Sequence, residues 1–196
     1  QPLDLDDNTG CGNQLANIIA AYNPRWDGAD RPDDCFAQAV ALAQDMLAHK
    51  LEAIRSVQRA ALLREMFAQI GENCYIEPPL HANWGGRHVH FGSGVYANFN
   101  LTLVDDAHIY VGDCVMFGPN VTVATAGHPI EPGLRRQAMQ YNADVRIGSN
   151  VWVGAGAVIL PGVTIGDDTV IASGSVVTKD IPAGVVAVGC PCRVLR

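Results

Sequence analysis

Four sets of residues have types and spacings that can do chemistry. His128 stands between Gly127 and Pro129, where the backbone is restricted. An imidazole takes up and returns a proton near neutral pH, so it can free an attacking hydroxyl of its proton. Nothing beside it in the sequence identifies a group to orient the ring, so a structural role for a lone histidine stays open. Asn98 and Asn100 flank Phe99, and Asp105 and Asp106 are adjacent. An amide N–H can steady a developing oxyanion, and a carboxylate accepts from hydroxyls. Each of these four is also of a type that occupies turns. Lys179, Arg193 and Arg196 are cationic groups near the C-terminal end of a chain whose net charge is −7, and such a local cluster suits phosphates. Finally, His88 and His90 alternate with Val89 and share one face of a strand. Two histidines on a face can bind a metal, but no third ligand is evident, and surface residues are the more frequent case.

The elements that must hold these groups are short and repeated. Phe91, Ala97, Leu103, Val111, Phe117, Val123, Ile147, Val153, Ile159, Ile165, Ile171 and Val177 each begin a unit of six residues, and all but Ala97 are large and apolar. A second position, four residues on, runs through Val95, Leu101, Ala107, Val115, Val121, Val151, Ala157, Val163, Thr169, Ser175 and Ile181. Gly, Asn and Asp fall where corners would need special backbone angles. A strand this short cannot bury its apolar side alone, but stacked coils bury it against each other at a spacing of ~4.8 Å. A fixed period of six predicts a parallel β-helix. The phase slips only at Ile109–Tyr110, where two residues are added. From about Ala126 to Asp144 the repeat is interrupted and then resumes in phase, so this segment is a long excursion from one corner, and loops of that length are usually functional. Trp152 takes an outward position, which suggests an interface or a ligand wall.

The N-terminal third reads differently. Residues 1–34 are rich in turn signals, with one short helix possible over Leu15–Tyr22. Helices are expected from about Cys35 to Lys50 and from Glu52 to Ile70, the second ended by Gly71. Residues 1–72 are thus expected to form an extension and helical cap over the sheet edge, and residues 73–196 the β-helix. Residues 74–90 look like an irregular first coil with a turn at Trp84–Arg87. The coils are expected to end near Pro182, leaving 183–196 as a tail.

Composition excludes several classes. The negative charge argues against non-specific nucleic-acid binding. No run of about 18 apolar residues is present to span a membrane. The start at Gln1 shows no basic n-region, so a cytoplasmic protein without a signal peptide is expected. The six cysteines show no Cys-x-x-Cys spacing; free, mostly buried thiols are expected, and a Cys11–Cys35 bridge stays open.

Several segments carry a resemblance: Gly71-Glu72-Asn73, Glu77-Pro78-Pro79, Tyr96 to Asn100, Val104-Asp105-Asp106, Gly127-His128-Pro129, Asn150-Val151-Trp152, Pro161 to Asp167, Val177 to Asp180 and Cys190 to Arg193. Over roughly Ala61 to Arg196 the chain resembles the left-handed β-helix acyltransferases, most nearly the galactoside and maltose O-acetyltransferases. The resemblance implies a mainly β, left-handed parallel β-helix and acetyl transfer from acetyl-CoA to a sugar hydroxyl. It also implies a homotrimer with active sites between subunits, and no metal. It makes His128 the general base and puts Asn98 at the acetyl donor. Asp106 becomes an acceptor-binding carboxylate, though Asp105 could take that place. Ala155 and Ser173 would line the pantetheine groove, with the Ala155 N–H a second oxyanion donor. Thr178, Lys179, Arg193 and Arg196 would contact coenzyme A. Asn83 and Gln140 fall at further acceptor positions, where the galactoside enzymes have Ser and Met, so the sugar stays open. Alternatives are an acceptor such as serine or an antibiotic, a metal-dependent hydratase like the γ-class carbonic anhydrases, and a non-catalytic scaffold.

Overall fold

Three parallel sheets, each built from one short strand per coil, form the body of the protein. The computed structural model describes residues 58–196. The expected helices ahead of that point, the Cys11–Cys35 question and the capping role of residues 1–57 lie outside the described residues. The first sheet contains β1 (Gln69–Ile70), β4 (Val89–Phe91), β7 (Ile109–Val111), β12 (Val145–Ile147) and β15 (Thr164–Ile165). The second contains β2 (Tyr75–Ile76), β5 (Tyr96–Ala97), β8 (Met116–Phe117), β13 (Trp152–Val153), β16 (Val170–Ile171), β18 (Val186–Val188) and β19 (Arg193–Val194). The third contains β3 (Leu80–Ala82), β6 (Leu101–Val104), β9 (Thr122–Ala124), β14 (Val158–Ile159) and β17 (Val176–Val177). The chain visits the sheets in that order, so it winds through five full coils and begins a sixth at Ile181, which bridges Ile165.

The register explains the six-residue period. Phe91, Val111, Ile147 and Ile165 stack in the first sheet, Ala97, Phe117, Val153 and Ile171 in the second, and Leu103, Val123, Ile159 and Val177 in the third. Every one of these is buried on the axis. Each fully buried Val, Leu, Ile or Phe contributes ~1.5–3 kcal/mol relative to exposure, which is what makes two-residue strands persist. At the first corner Asn73, Gly94, Cys114, Asn150, Asp168 and Gly184 all have φ between 55° and 72°. Cys114 adopts that left-handed backbone without the freedom of Gly, and its thiol lies 3.4 Å from where a Gly94 Cβ would be.

Four expectations are corrected. The second expected helix, α1 (residues 58–66 as described), ends at Met66 rather than at Gly71. Gln69 and Ile70 instead pair with His90 and Phe91, and a Cβ at Gly71 would lie 2.6 Å from the Gly92 backbone. Gly71 is therefore a coil-stacking residue, and the first coil begins ahead of residue 73. The coils also continue past Pro182: β18 adds to the second sheet and β19 folds back antiparallel on it. Ala107 is only half-buried; Asp105 turns inward in its stead. The Asp105 carboxylate accepts from the N–H of Trp84 at 2.8 Å and of His88 at 3.4 Å, tying two consecutive corners together. Finally, Cys114 and Cys190 are exposed thiols, and only Cys192 of the described cysteines is buried.

Candidate functional site

The long excursion leaves the coil at the third edge, where the third sheet turns back to the first. Thr125 anchors its root. The buried hydroxyl donates to the Val104 carbonyl at 2.7 Å and accepts from the Ala107 N–H at 2.8 Å. The excursion is a hairpin: β10 (Ala126–Gly127) pairs antiparallel with β11 (Tyr141–Asn142). Gly127 lets the Tyr141 ring lie close over the hairpin, since a Cβ there would lie 2.6 Å from that ring and push it aside. Beyond it, α2 (Pro132–Arg136) starts on a Glu131 cap whose carboxylate accepts from the Gly133 and Leu134 N–H groups, and these bonds lower its pKa. Arg135 donates to the Pro129 and Ile130 carbonyls at 3.0 and 2.7 Å, closing the tip.

His128 is therefore placed at the base of a hydrogen-bonded hairpin, and its ring is oriented. Nδ1 lies 2.8 Å from the backbone carbonyl of Met139, on the returning arm of the excursion just before β11. A carbonyl can only accept, so Nδ1 carries the proton, and in the neutral ring Nε2 keeps its lone pair. The orienting group that sequence inspection could not find is a backbone atom eleven residues away.

The same edge collects a polar cluster around Asp106. Its carboxylate accepts from Asn83 Nδ2 at 2.9 Å, Gln140 Nε2 at 3.1 Å and Trp84 Nε1 at 3.3 Å. Gln140 also donates to Asn142 Oδ1 at 2.8 Å. Slight burial pushes the Asp106 carboxyl up, but hydrogen bonds from Trp84, Gln140 and Asn83, together with the charge of His88, outweigh it and hold the pKa below the usual carboxylate value. Asp106, Asn83 and Gln140, singled out separately in the sequence, thus form one group. Trp84 and Asn142 belong to it and were passed over, because turn composition alone does not show which coil a side chain reaches. Met139 precedes Gln140, so the ring of His128 and the Asp106 cluster share one short stretch of chain.

Asn98 lies elsewhere, at the second edge, where the second sheet turns into the third. Its Oδ1 accepts from the Phe99 N–H at 2.8 Å, which leaves its NH₂ as the group facing outward chemistry. Asn100 is the corner residue: its φ is 61° and its amide donates to Asn120 at 3.0 Å. Ala155 and Ser173 follow β13 and β16 on this same edge. Gly156 and Gly174 sit beside them with φ of 67° and 69°, and a Cβ at either would meet nothing within 4 Å. That edge presents small residues and open backbone, the form a narrow flexible chain could lie along. Thr178 and Lys179 are exposed on the third edge after β17, whereas Arg193 and Arg196 lie at β19 against the second sheet. Arg193 donates to the Cys192 carbonyl at 2.7 Å.

The outer face of the first sheet carries a histidine cluster that the sequence showed only in part. His90 Nε2 lies 2.9 Å from His108 Nδ1, and the His88 ring centre is 5.3 Å from that of His108. His108 lies two positions before Tyr110, the ladder partner of His90, and so outside the pairing that the strand pattern suggests. His90 stacks on Tyr110 at 4.6 Å, and the Arg146 guanidinium covers the Tyr110 ring at 4.1 Å. Among the described residues no group of three His, Cys, Asp or Glu converges on a metal position.

Comparison with known proteins fits this architecture. Residues 144–179 match the family model described as bacterial transferase hexapeptide (six repeats). The galactoside O-acetyltransferase of Lactococcus lactis is 62% identical over 139 residues, 71% of this chain and 67% of that one. The structure of a maltose O-acetyltransferase from Clostridium difficile 630 superposes with a TM-score of 0.69 at 45% identity, covering 70% of this chain and 73% of that one. A galactoside acetyltransferase solved in complex with coenzyme A superposes with a TM-score of 0.69 at 39% identity, covering 97% of this chain and 84% of that one. The fold is the parallel β-helix that the period of six pointed to, with the left hand that the resemblance implied and that the matching acetyltransferase structures share. With its coils, its excursion and these relatives in agreement, the chain belongs to the hexapeptide-repeat acetyltransferases, the family of the galactoside and maltose O-acetyltransferases.

Proposed function

We propose that this protein is an acetyl-CoA-dependent O-acetyltransferase of the cytoplasm whose acceptor is a sugar hydroxyl. The observation that carries the reading is the tautomer of His128: Nδ1–H on the Met139 carbonyl leaves Nε2 as a proton acceptor. The names of its relatives, galactoside and maltose O-acetyltransferases, supply the substrate class, and a relative holding coenzyme A supplies the donor. The exposed thiols of Cys114 and Cys190 fit a reducing compartment.

In this reading His128 Nε2 takes the proton of the acceptor hydroxyl as its oxygen bonds to the thioester carbonyl carbon. Asn98 Nδ2 and the Ala155 N–H donate to the resulting tetrahedral oxygen. When the C–S bond breaks, the imidazolium returns its proton to the leaving thiolate. Asp106, with Asn83 and Gln140, orients the sugar. Ala155, Ser173, Thr178, Lys179, Arg193 and Arg196 hold the donor, the cations on its phosphates. No covalent enzyme intermediate is needed.

The active site lies between copies in a homotrimer. Asn98 and Ala155 occupy the second edge of the prism, and His128 and Asp106 the third, so one chain does not bring the two halves together. A neighbour whose third edge faces this chain's second edge does. Exposed apolar side chains support the contact: Ile130, Leu134 and Met139 on the excursion, and Tyr96, Met116 and Trp152 in register on the second sheet.

The test is thiol release from acetyl-CoA with a panel of methyl β-D-galactopyranoside, maltose, glucose and serine. Release with the sugars is expected. Release with serine alone would move the acceptor class. No heat of acetyl-CoA binding in calorimetry would overturn the reading.

A further inference from the structure

We propose that Trp84 is a stacking platform for the ring of the acceptor and so a specificity-determining residue; this rests on the acceptor site assigned above. Trp84 is 57% exposed, yet it is fixed at two points. Its backbone N–H donates to the buried Asp105 carboxylate at 2.8 Å, and its indole N–H to Asp106 at 3.3 Å. An exposed indole usually has rotational freedom; this one has its ring plane set by the same carboxylate that Asn83 and Gln140 engage. The flanking turn leaves room beside it. Gly85 and Gly86 have φ of 70° and 86°, and a Cβ at Gly85 would meet nothing within 4 Å.

A pyranose has hydroxyls around its rim and an apolar face of C–H groups. A site for it therefore needs polar acceptors and donors at one side and a flat apolar surface at the other. Asp106, Asn83 and Gln140 are the first, and the held face of Trp84 is the second. Asn83 and Gln140 hold Asp106 independently of the indole, so the polar side of the site stays in place when Trp84 is truncated. An acyclic polyol presents the same hydroxyls without the rigid C–H face, and it would gain little from the platform.

The experiment compares methyl β-D-galactopyranoside and methyl α-D-glucopyranoside with sorbitol as acceptors, in wild type, Trp84→Ala and Trp84→Phe. Trp84→Ala should raise KM for the glycosides about tenfold, with kcat and the KM for acetyl-CoA within about twofold and sorbitol hardly affected. Trp84→Phe keeps a ring but loses the N–H that holds it to Asp106, and should recover part of that loss; it also guards against a mere folding defect. Unchanged glycoside KM in Trp84→Ala overturns the platform while leaving the acetyltransferase reading intact. Equal losses on glycosides and sorbitol, or a raised KM for acetyl-CoA, overturn it too. If wild type binds acetyl-CoA but acetylates neither glycoside, the acceptor reading falls and the platform with it.

Discussion

The imidazole of His128 and the backbone carbonyl of Met139 are joined across the excursion by a hydrogen bond of 2.8 Å. This bond sets the tautomer without a carboxylate, so in the proposed mechanism the base would depend on loop geometry rather than on a charged partner. Replacing His128 by Ala should lower kcat by ~10²–10⁴ while both KM values change little. Activity surviving within about tenfold would remove His128 from the chemistry.

Asn98 tests the oxyanion assignment separately. Its Oδ1 already accepts from the Phe99 N–H, so only the amide N–H is available to the reaction. Asn98→Ala should cost ~10²–10³ in kcat, the usual loss of one preorganised donor. Asn98→Asp keeps the bond to Phe99 but puts negative charge where charge develops, and should be at least as damaging. A kcat unchanged in both variants would exclude the role.

Asp106 gives a pH prediction. Its hydrogen bonds hold the folded pKa below the ordinary value of 3.8, so the carboxylate stays ionised as pH falls from neutral. The interaction is complete above the ordinary value and is lost only as pH drops through the lowered one. The acceptor KM should therefore be flat from pH 7 down to about 4. A rise centred near pH 5 or 6 would contradict the cluster. Asp106→Asn should raise that KM at every pH.

The histidine cluster predicts a stability effect of the opposite kind from a salt bridge. Burial first, then the neighbouring charge of His108 and of His88, hold His90 below 6.5, with Asp144 opposing them. Arg146 and Tyr110 complete the face. Between the lowered folded pKa and the unfolded value near 6.5, the unfolded chain binds more protons, so stability rises with pH across that window. The midpoint of thermal unfolding should climb as pH rises toward 6.5 and climb less in His90→Gln. Equal slopes in the two proteins would count against it.

Much of this was legible before the structure. The coil could be read because its signal is a period, and burial of Phe91 or Ile159 depends on nothing but that period. His128, Asp106, Asn83 and Gln140 were found through motif resemblance, and three of them do meet in one cluster. What the sequence hid are contacts between coils. Trp84 reaches Asp106 across 22 residues, which is no multiple of six, and His108 meets His90 two positions short of its ladder partner Tyr110. The end of α1 was misplaced because helix propensity ran on to Ile70, while pairing with Phe91 took those residues into a ladder. Asp105 was read as an acceptor candidate, yet it is a buried staple between corners.

The assembly claim is tested most directly by mixing two inactive variants. Asn98→Ala and His128→Ala are each expected to be nearly dead alone. Co-expressed, they should form trimers in which one neighbour supplies an intact His128 and another an intact Asn98, restoring on the order of a quarter of wild-type activity for random assembly. A mixture no more active than its separate parts would show that both groups must come from the same chain, and the site between copies would be wrong.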